Sequence, residues 1–132
     1  MIYIIYKIFG IKLLMDWNRI KDLTVKNAVF NTKEITFQFN DSDLKLVLLA
    51  KHECCSISRF KQVSPPDILV GQKIIKLHLS PDDEQVEDVT FDGMVTRCCK
   101  FFIKTESGIK CSITLLNESN GYYTGWIEPH IV

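Results

Sequence analysis

The stretch Ile35-Thr36-Phe37-Gln38-Phe39-Asn40-Asp41-Ser42-Asp43-Leu44-Lys45-Leu46-Val47-Leu48 decides the fold. Ile35, Phe37 and Phe39 alternate with Thr36 and Gln38. After a polar interval, Leu44, Leu46 and Leu48 alternate with Lys45 and Val47. A period of two sends successive side chains to opposite faces of an extended chain, so each run predicts a strand with one face in a core. Asn40-Asp41-Ser42-Asp43 supplies residues that bond their own backbone and favour a turn. The spacing therefore predicts a hairpin over 34–50.

The same period recurs on the C-terminal side. Ile75, Leu77 and Leu79 alternate with Lys76 and His78, and Ile109, Cys111, Ile113 and Leu115 alternate with Lys110, Ser112 and Thr114. Glu106-Ser107-Gly108 and Asn120-Gly121 read as turns; Asn-Gly suits a tight hairpin in which both central residues need positive φ. Further hairpins are expected over 99–116 and 114–128. The expected strands are 25–30, 34–40, 44–51, 72–80, 99–105, 109–117 and 122–127. The expected core is Ile35, Phe37, Phe39, Leu46, Leu48, Ile75, Leu77, Ile113 and Leu115. Asp16 to Leu23, capped by Asp16, and Pro66 to Gly71 read as one or two short helical turns. Ser80 to Asp92 holds six acidic residues without aliphatic alternation and reads as a solvated, mobile loop.

Two halves of the chain follow a similar order. Leu23 to Phe30, Ile35 to Phe39 and Leu44-x-Leu46-x-Leu48 compare with Leu69 to Leu77, Phe101 to Ile103 and Ile109-x-Cys111-x-Ile113-x-Leu115. The fold class expected is mainly β, with antiparallel sheet from two similar meander halves. At 132 residues the chain has the size of one domain. Residues 16–132 read as that domain and residues 1–15 as an N-terminal extension. Met15-Asp16-Trp17 looks like the more natural beginning, so the extension reads as an upstream start. An added edge strand and an amphipathic membrane-contacting segment are its rivals. Lys7 and Lys12 interrupt its apolar run, which falls short of the roughly 20 residues that span a bilayer. No transmembrane segment is expected.

Sixteen basic and sixteen acidic residues cancel, which argues against general affinity for nucleic acid. The five cysteines form two adjacent pairs, Cys54-Cys55 and Cys98-Cys99, plus Cys111. No disulfide framework is visible, so free thiols in a reducing, cytoplasmic compartment are expected. As consecutive strand residues, each pair would face opposite sides and could not grip one metal easily. The leading reading of the cysteines is core packing by small, soft side chains. A mixed metal site of His52 with one cysteine from each pair is the sharper alternative, as is a thiolate activated by His52. No cofactor is expected.

Two signatures stand apart from folding needs: His52-Glu53-Cys54-Cys55-Ser56, and Asn117 to Trp126 with Asn120-Gly121-Tyr122-Tyr123 at its centre. Short polar residues beside aromatics make a recognition surface, because a ring offers area and a polar tip at low entropy cost. Gly125 permits a bulge or the close approach of another backbone. The candidate binding residues are Cys55, Ser56, Asn117, Asn120, Gly121, Tyr122 and Tyr123, with contact expected between 54–58 and 117–124. His52, His78 and His130 are scattered. The sequence has no Gly-rich phosphate loop, nucleophile elbow or His-Glu-x-x-His, and no catalytic residue is proposed.

Cys54-Cys55-Ser56 with Phe60, then Leu69-Val70-Gly71, then Asn117-Glu118-Ser119-Asn120-Gly121-Tyr122-Tyr123 give the order of a known pattern. It resembles a family of small uncharacterised domains of bacteriophages, bacteria and large DNA viruses, over about residues 20–128. The chain departs from that pattern at Leu23-Thr24-Val25, which lacks a glycine, at Glu53 in place of Asp, and at Thr124-Gly125 in place of Gly-Gly. The resemblance implies a β-rich fold and a viral or mobile-element setting, and brings no activity. The expected function is a non-catalytic module binding a small ligand or host protein in the host cytoplasm. A structural or virion assembly component, including a homo-oligomer pairing through strand edges, is the alternative. A cysteine- or metal-dependent enzyme ranks third.

Overall fold

The computed structural model describes residues 2–4, 9–11, 13–15, 17–62, 64–79, 85–89, 93–120 and 125–132. Three short strands open the chain: β1 (Ile2–Ile4), β2 (Phe9–Ile11) and β3 (Leu13–Met15). A 3-10 turn at Trp17–Arg19 leads into β4 (Val25–Phe30), β5 (Glu34–Phe39), β6 (Lys45–His52) and β7 (Ile57–Gln62). A second 3-10 turn at Pro66–Leu69 precedes β8 (Ile74–Leu79), β9 (Gln85–Val89), β10 (Val95–Thr105), β11 (Lys110–Ser119) and β12 (Gly125–Ile131). The fold is mainly β, as the alternation predicts. No helix among the described residues is long and apolar enough to cross a membrane.

Two five-stranded sheets carry the core. The first has the order β2-β12-β6-β5-β4, antiparallel except for the parallel pair β2–β12. The second has the order β7-β11-β10-β8, with β9 pairing the other end of β10. β1 and β3 form a separate antiparallel ribbon. The inward residues of both sheets merge into one apolar cluster: Ile35, Phe37, Phe39, Leu46, Leu48 and Ile127 from the first, Phe60, Phe101, Ile103, Cys111, Ile113 and Leu115 from the second. Phe60 and Phe101 pack as a tilted pair, ring centroids 6.0 Å apart, a favoured aromatic geometry.

The two halves match strand for strand. In each, a 3-10 turn places one buried aliphatic, Ile20 or Leu69, under the sheets. Leu23 N donates to Ile20 O at 3.0 Å, and Gln72 N donates to Leu69 O at 3.0 Å. Thr24 and Lys73, the next residues, form an antiparallel bridge with each other. Asn40 N then donates to Thr24 O, and Glu106 N to Lys73 O, both at 2.9 Å. The meander β4-β5-β6 thus corresponds to β8-β10-β11. Each half then sends its last strand into the other's sheet: β7 pairs β11, and β12 pairs β6. This exchange interlocks the sheets, because neither half completes its own.

Several sequence expectations are corrected. The hairpin over 114–128 is absent, since β11 and β12 belong to different sheets. Ile75 is 49% exposed and Ile74 is buried. A register shift sets Ile74 opposite Thr105 and Lys76 opposite Lys104, leaving Ile75 as the extra residue of a bulge. The side chains of Leu77 and His78 lie outside the described residues. Residues 85–89 of the acidic segment are strand rather than loop, because β10 outruns β8 and its open edge accepts any extended backbone. β7 was absent from the expected strands. Its inward positions are Ser58 and Phe60, so no apolar alternation announces it. The predicted cap Asp16 lies outside the described residues.

Candidate functional site

The two exchanged strands meet at one end of the sandwich. In register, Ser58 of β7 lies opposite Asn117 of β11, and Gly125 of β12 lies opposite His52 of β6. These are matching positions in the two halves, just as Phe60 opposite Leu115 matches Ile127 opposite Ala50. Space allows only one side chain of the Ser58/Gly125 pair. A Cβ on Gly125 would overlap Ser58 Oγ and stand 2.9 Å from Asn117 Nδ2 and 3.1 Å from Lys51 O. The close approach at this glycine is chiefly by side chains, where the sequence predicts a backbone; Lys51 O is the one backbone atom among the three nearest.

Asn117 occupies the room that Gly125 vacates. Its amide Nδ2 donates to Ser58 Oγ at 3.0 Å and to Ser56 Oγ at 3.3 Å. Ser56 Oγ donates to Glu53 O at 3.0 Å. Lys33 Nζ donates to the Ser58 carbonyl. Asn117, Ser56, Ser58 and Ser119 are all buried, Asn117 to 1% exposure. Asn117 Oδ1 is buried with no hydrogen-bond partner among the described residues. Burying polar groups in a β core costs free energy unless they are satisfied. The Oδ1 atom bears that cost, while the bonds made by Nδ2 and by Ser56 act as a clamp that ties the end of β6 and start of β7 to the end of β11.

Outside the clamp lies the Glu53–Ser56 turn, closed by Ser56 N to Glu53 O at 3.3 Å. Cys55 has φ 70, a left-handed conformation that costs a non-glycine residue about 1–2 kcal/mol. The turn overturns the strand reading of this cysteine pair. Cys54 and Cys55 are both exposed, with their sulfurs on one side and 3.7 Å apart. The Cys54 thiol is pushed above its usual value, first by its hydrogen bond to Cys55, then by the charge of Cys55, by desolvation and by Glu53. Core packing does hold for Cys111, which is fully buried and raised to about 11 by burial. Cys98 is half-buried.

On the outer face beside the clamp, Arg59 Nη1 pairs with Glu118 Oε1 at 2.7 Å. The pair lines an open cleft of about 450 Å³ together with Thr32, Lys61, Thr96 and Leu116. Ile57, in register opposite Glu118, is 54% exposed. Neither Arg59 nor Ile57 was among the candidate residues. The signal was weak: both follow the Cys-Cys-Ser element in a strand with no apolar alternation. Of the candidates, Ser56 and Asn117 come into direct contact inside the protein, and Cys55 and Asn120 are exposed at the same end. Gly121, Tyr122 and Tyr123 lie outside the described residues. Among the described residues no group of three His, Cys, Asp or Glu side chains is placed to hold a metal ion; His52 turns its Nδ1 to Glu53 O at 3.0 Å.

A relative shares this chain over most of its length. It is 26% identical over 110 residues, covering 79% of this chain and 81% of the relative, an uncharacterized protein, L278, of Acanthamoeba polyphaga mimivirus. No solved structure matches the chain. A family model described as "Domain of unknown function (DUF7448)" matches residues 3–128. This chain thus has a relative in a large DNA virus, and nearly all of it, the clamp and both signatures included, falls within one family: the protein belongs to the DUF7448 domain family.

Proposed function

We propose that this domain is a non-catalytic binding module of viral type, which takes a small ligand or a host protein at the end of the sandwich carrying the clamp. The single observation behind this reading is Asn117. Two segments some sixty residues apart are joined by one buried amide, and the groups just outside it are exposed or half-buried and chemically mixed. They comprise the Cys54-Cys55 turn, Ile57 and the Arg59–Glu118 pair above its cleft. A recognition surface wants apolar area and a few oriented polar groups on a rigid frame. The cleft falls in the size range of small-ligand sites. The mimivirus relative supports the viral setting, and exposed thiols suit the reducing host cytoplasm.

Native mass spectrometry of the protein recovered gently from a host-cell extract tests the reading. The expected spectrum shows a monomer or small oligomer carrying a bound ligand or partner, lost in an Arg59→Ala variant that melts like wild type. A large homogeneous assembly with nothing bound would instead favour the virion-component reading, with pairing through strand edges.

A further inference from the structure

From the geometry of the Glu53–Ser56 turn we infer that Cys54 and Cys55 form a two-thiol site for a soft, thiophilic centre of bent coordination, for which a monosubstituted trivalent arsenical is the simplest probe. The inference stands independently of the binding-module reading. The sulfurs are 3.7 Å apart. Two sulfurs each about 2.3 Å from one pyramidal centre, at an angle of about 100°, stand about 3.5 Å apart, so only a small inward movement is needed. A linear two-coordinate ion at the same bond length would need about 4.6 Å. A disulfide would need the sulfurs at about 2.05 Å, in the tight ring that adjacent cysteines impose. Inserting one large atom between the sulfurs relaxes that ring. Both side chains are exposed, so access is open.

The turn is already set for this. Adjacent cysteines in a strand diverge, but here Cys55 adopts φ 70 and swings its side chain to that of Cys54. Ser56, held by Asn117 and by Glu53 O, keeps the turn in that state. Ordering two thiols in advance removes an entropy cost from chelation. No third His, Cys, Asp or Glu among the described residues joins the group, which suits a centre that needs only two thiolates and keeps its own third substituent.

The step with phenylarsine oxide balances without electron transfer. Two As–S bonds form, the As=O bond breaks, and the two thiol protons leave with the oxide oxygen as one water. The test uses the full-length reduced protein, phenylarsine oxide and intact-protein mass spectrometry after washing with a monothiol. The wild type is expected to hold one phenylarsenic group through the wash and to release it to a small dithiol. Cys54→Ser and Cys55→Ser, each at an exposed position and checked for unchanged melting, should each lose the wash-resistant adduct completely. The double variant Cys98→Ser/Cys99→Ser should keep it. Retention of the adduct by Cys54→Ser, its loss in the Cys98/Cys99 double variant, or only wash-labile adducts in the wild type would overturn the inference.

Discussion

Gly125→Ala is the sharpest perturbation of the clamp. The added methyl carbon would overlap Ser58 Oγ and press on Asn117 Nδ2 at 2.9 Å and Lys51 O at 3.1 Å. Ser58 is wholly buried, so its hydroxyl has nowhere open to turn. Overpacking of this kind costs about 1–3 kcal/mol. Displacing Ser58 also breaks its bond from Asn117, worth about 0.5–1.5 kcal/mol. A total of about 2–4 kcal/mol follows. The matching of the two halves adds a stricter expectation. If Ser58 and Gly125 share one side-chain space, Ser58→Gly should relieve Gly125→Ala. The double variant should be more stable than the sum of the single effects by about 1–2 kcal/mol. Urea unfolding at constant slope measures all four corners of the cycle. A Gly125→Ala protein within about 0.5 kcal/mol of wild type, or strict additivity, would refute the shared-space argument.

Other expectations follow from burial and charge. Phe37→Ala should cost about 3–5 kcal/mol, whereas Ile75→Ala, in the exposed bulge, should stay within about 0.5 kcal/mol of wild type; urea midpoints separate the two. Cys111 should resist alkylation in the native protein at pH 8 and react in urea, while Cys54 and Cys55 label first, as peptide mapping would show. Because burial holds the Cys111 thiol at about 11 against 9.0 for the free group, the unfolded chain loses this proton first. The contribution of Cys111 to stability should therefore be constant below pH 9 and fall between 9 and 11, an effect that Cys111→Ala removes. Arg59→Ala should change stability by less than about 1 kcal/mol, since its ion pair with Glu118 is half-buried at the surface and partly screened by water.

What the sequence discloses is whatever packs one face of a regular strand. Ile35, Phe37, Phe39, Leu46, Leu48, Ile113 and Leu115 are buried as their alternation predicts. The matched halves were also legible, through the same alternation and the polar turns between runs. Ile75 misleads because a bulge inserts one residue and flips the phase of the strand. β9 hides because an acidic stretch without aliphatic alternation reads as loop, while its pairing is decided by the open backbone edge of β10. β7 hides because an inward serine looks like a surface residue until Asn117 and Gly125 are placed beside it. The end of β11 misleads in another way. Asn-Gly suits a hairpin, yet strand exchange sends the chain across to β6. For the candidate site, the sequence singles out the two remote segments that the clamp joins. It puts Ser56 and Asn117 on the surface, where the fold buries them, and it splays Cys54 and Cys55, which the turn brings together.

The central claim is that recognition belongs to the end of the sandwich where the halves exchange strands. Two-dimensional amide spectra of labelled protein, recorded with the low-molecular-weight fraction released by denaturing the wild-type protein, test it most directly. The account predicts shifts concentrated at residues 53–59 and 117–120, and their loss in Arg59→Ala. Shifts concentrated instead at the opposite end, around the Asp41 and Gly108 turns, would contradict it.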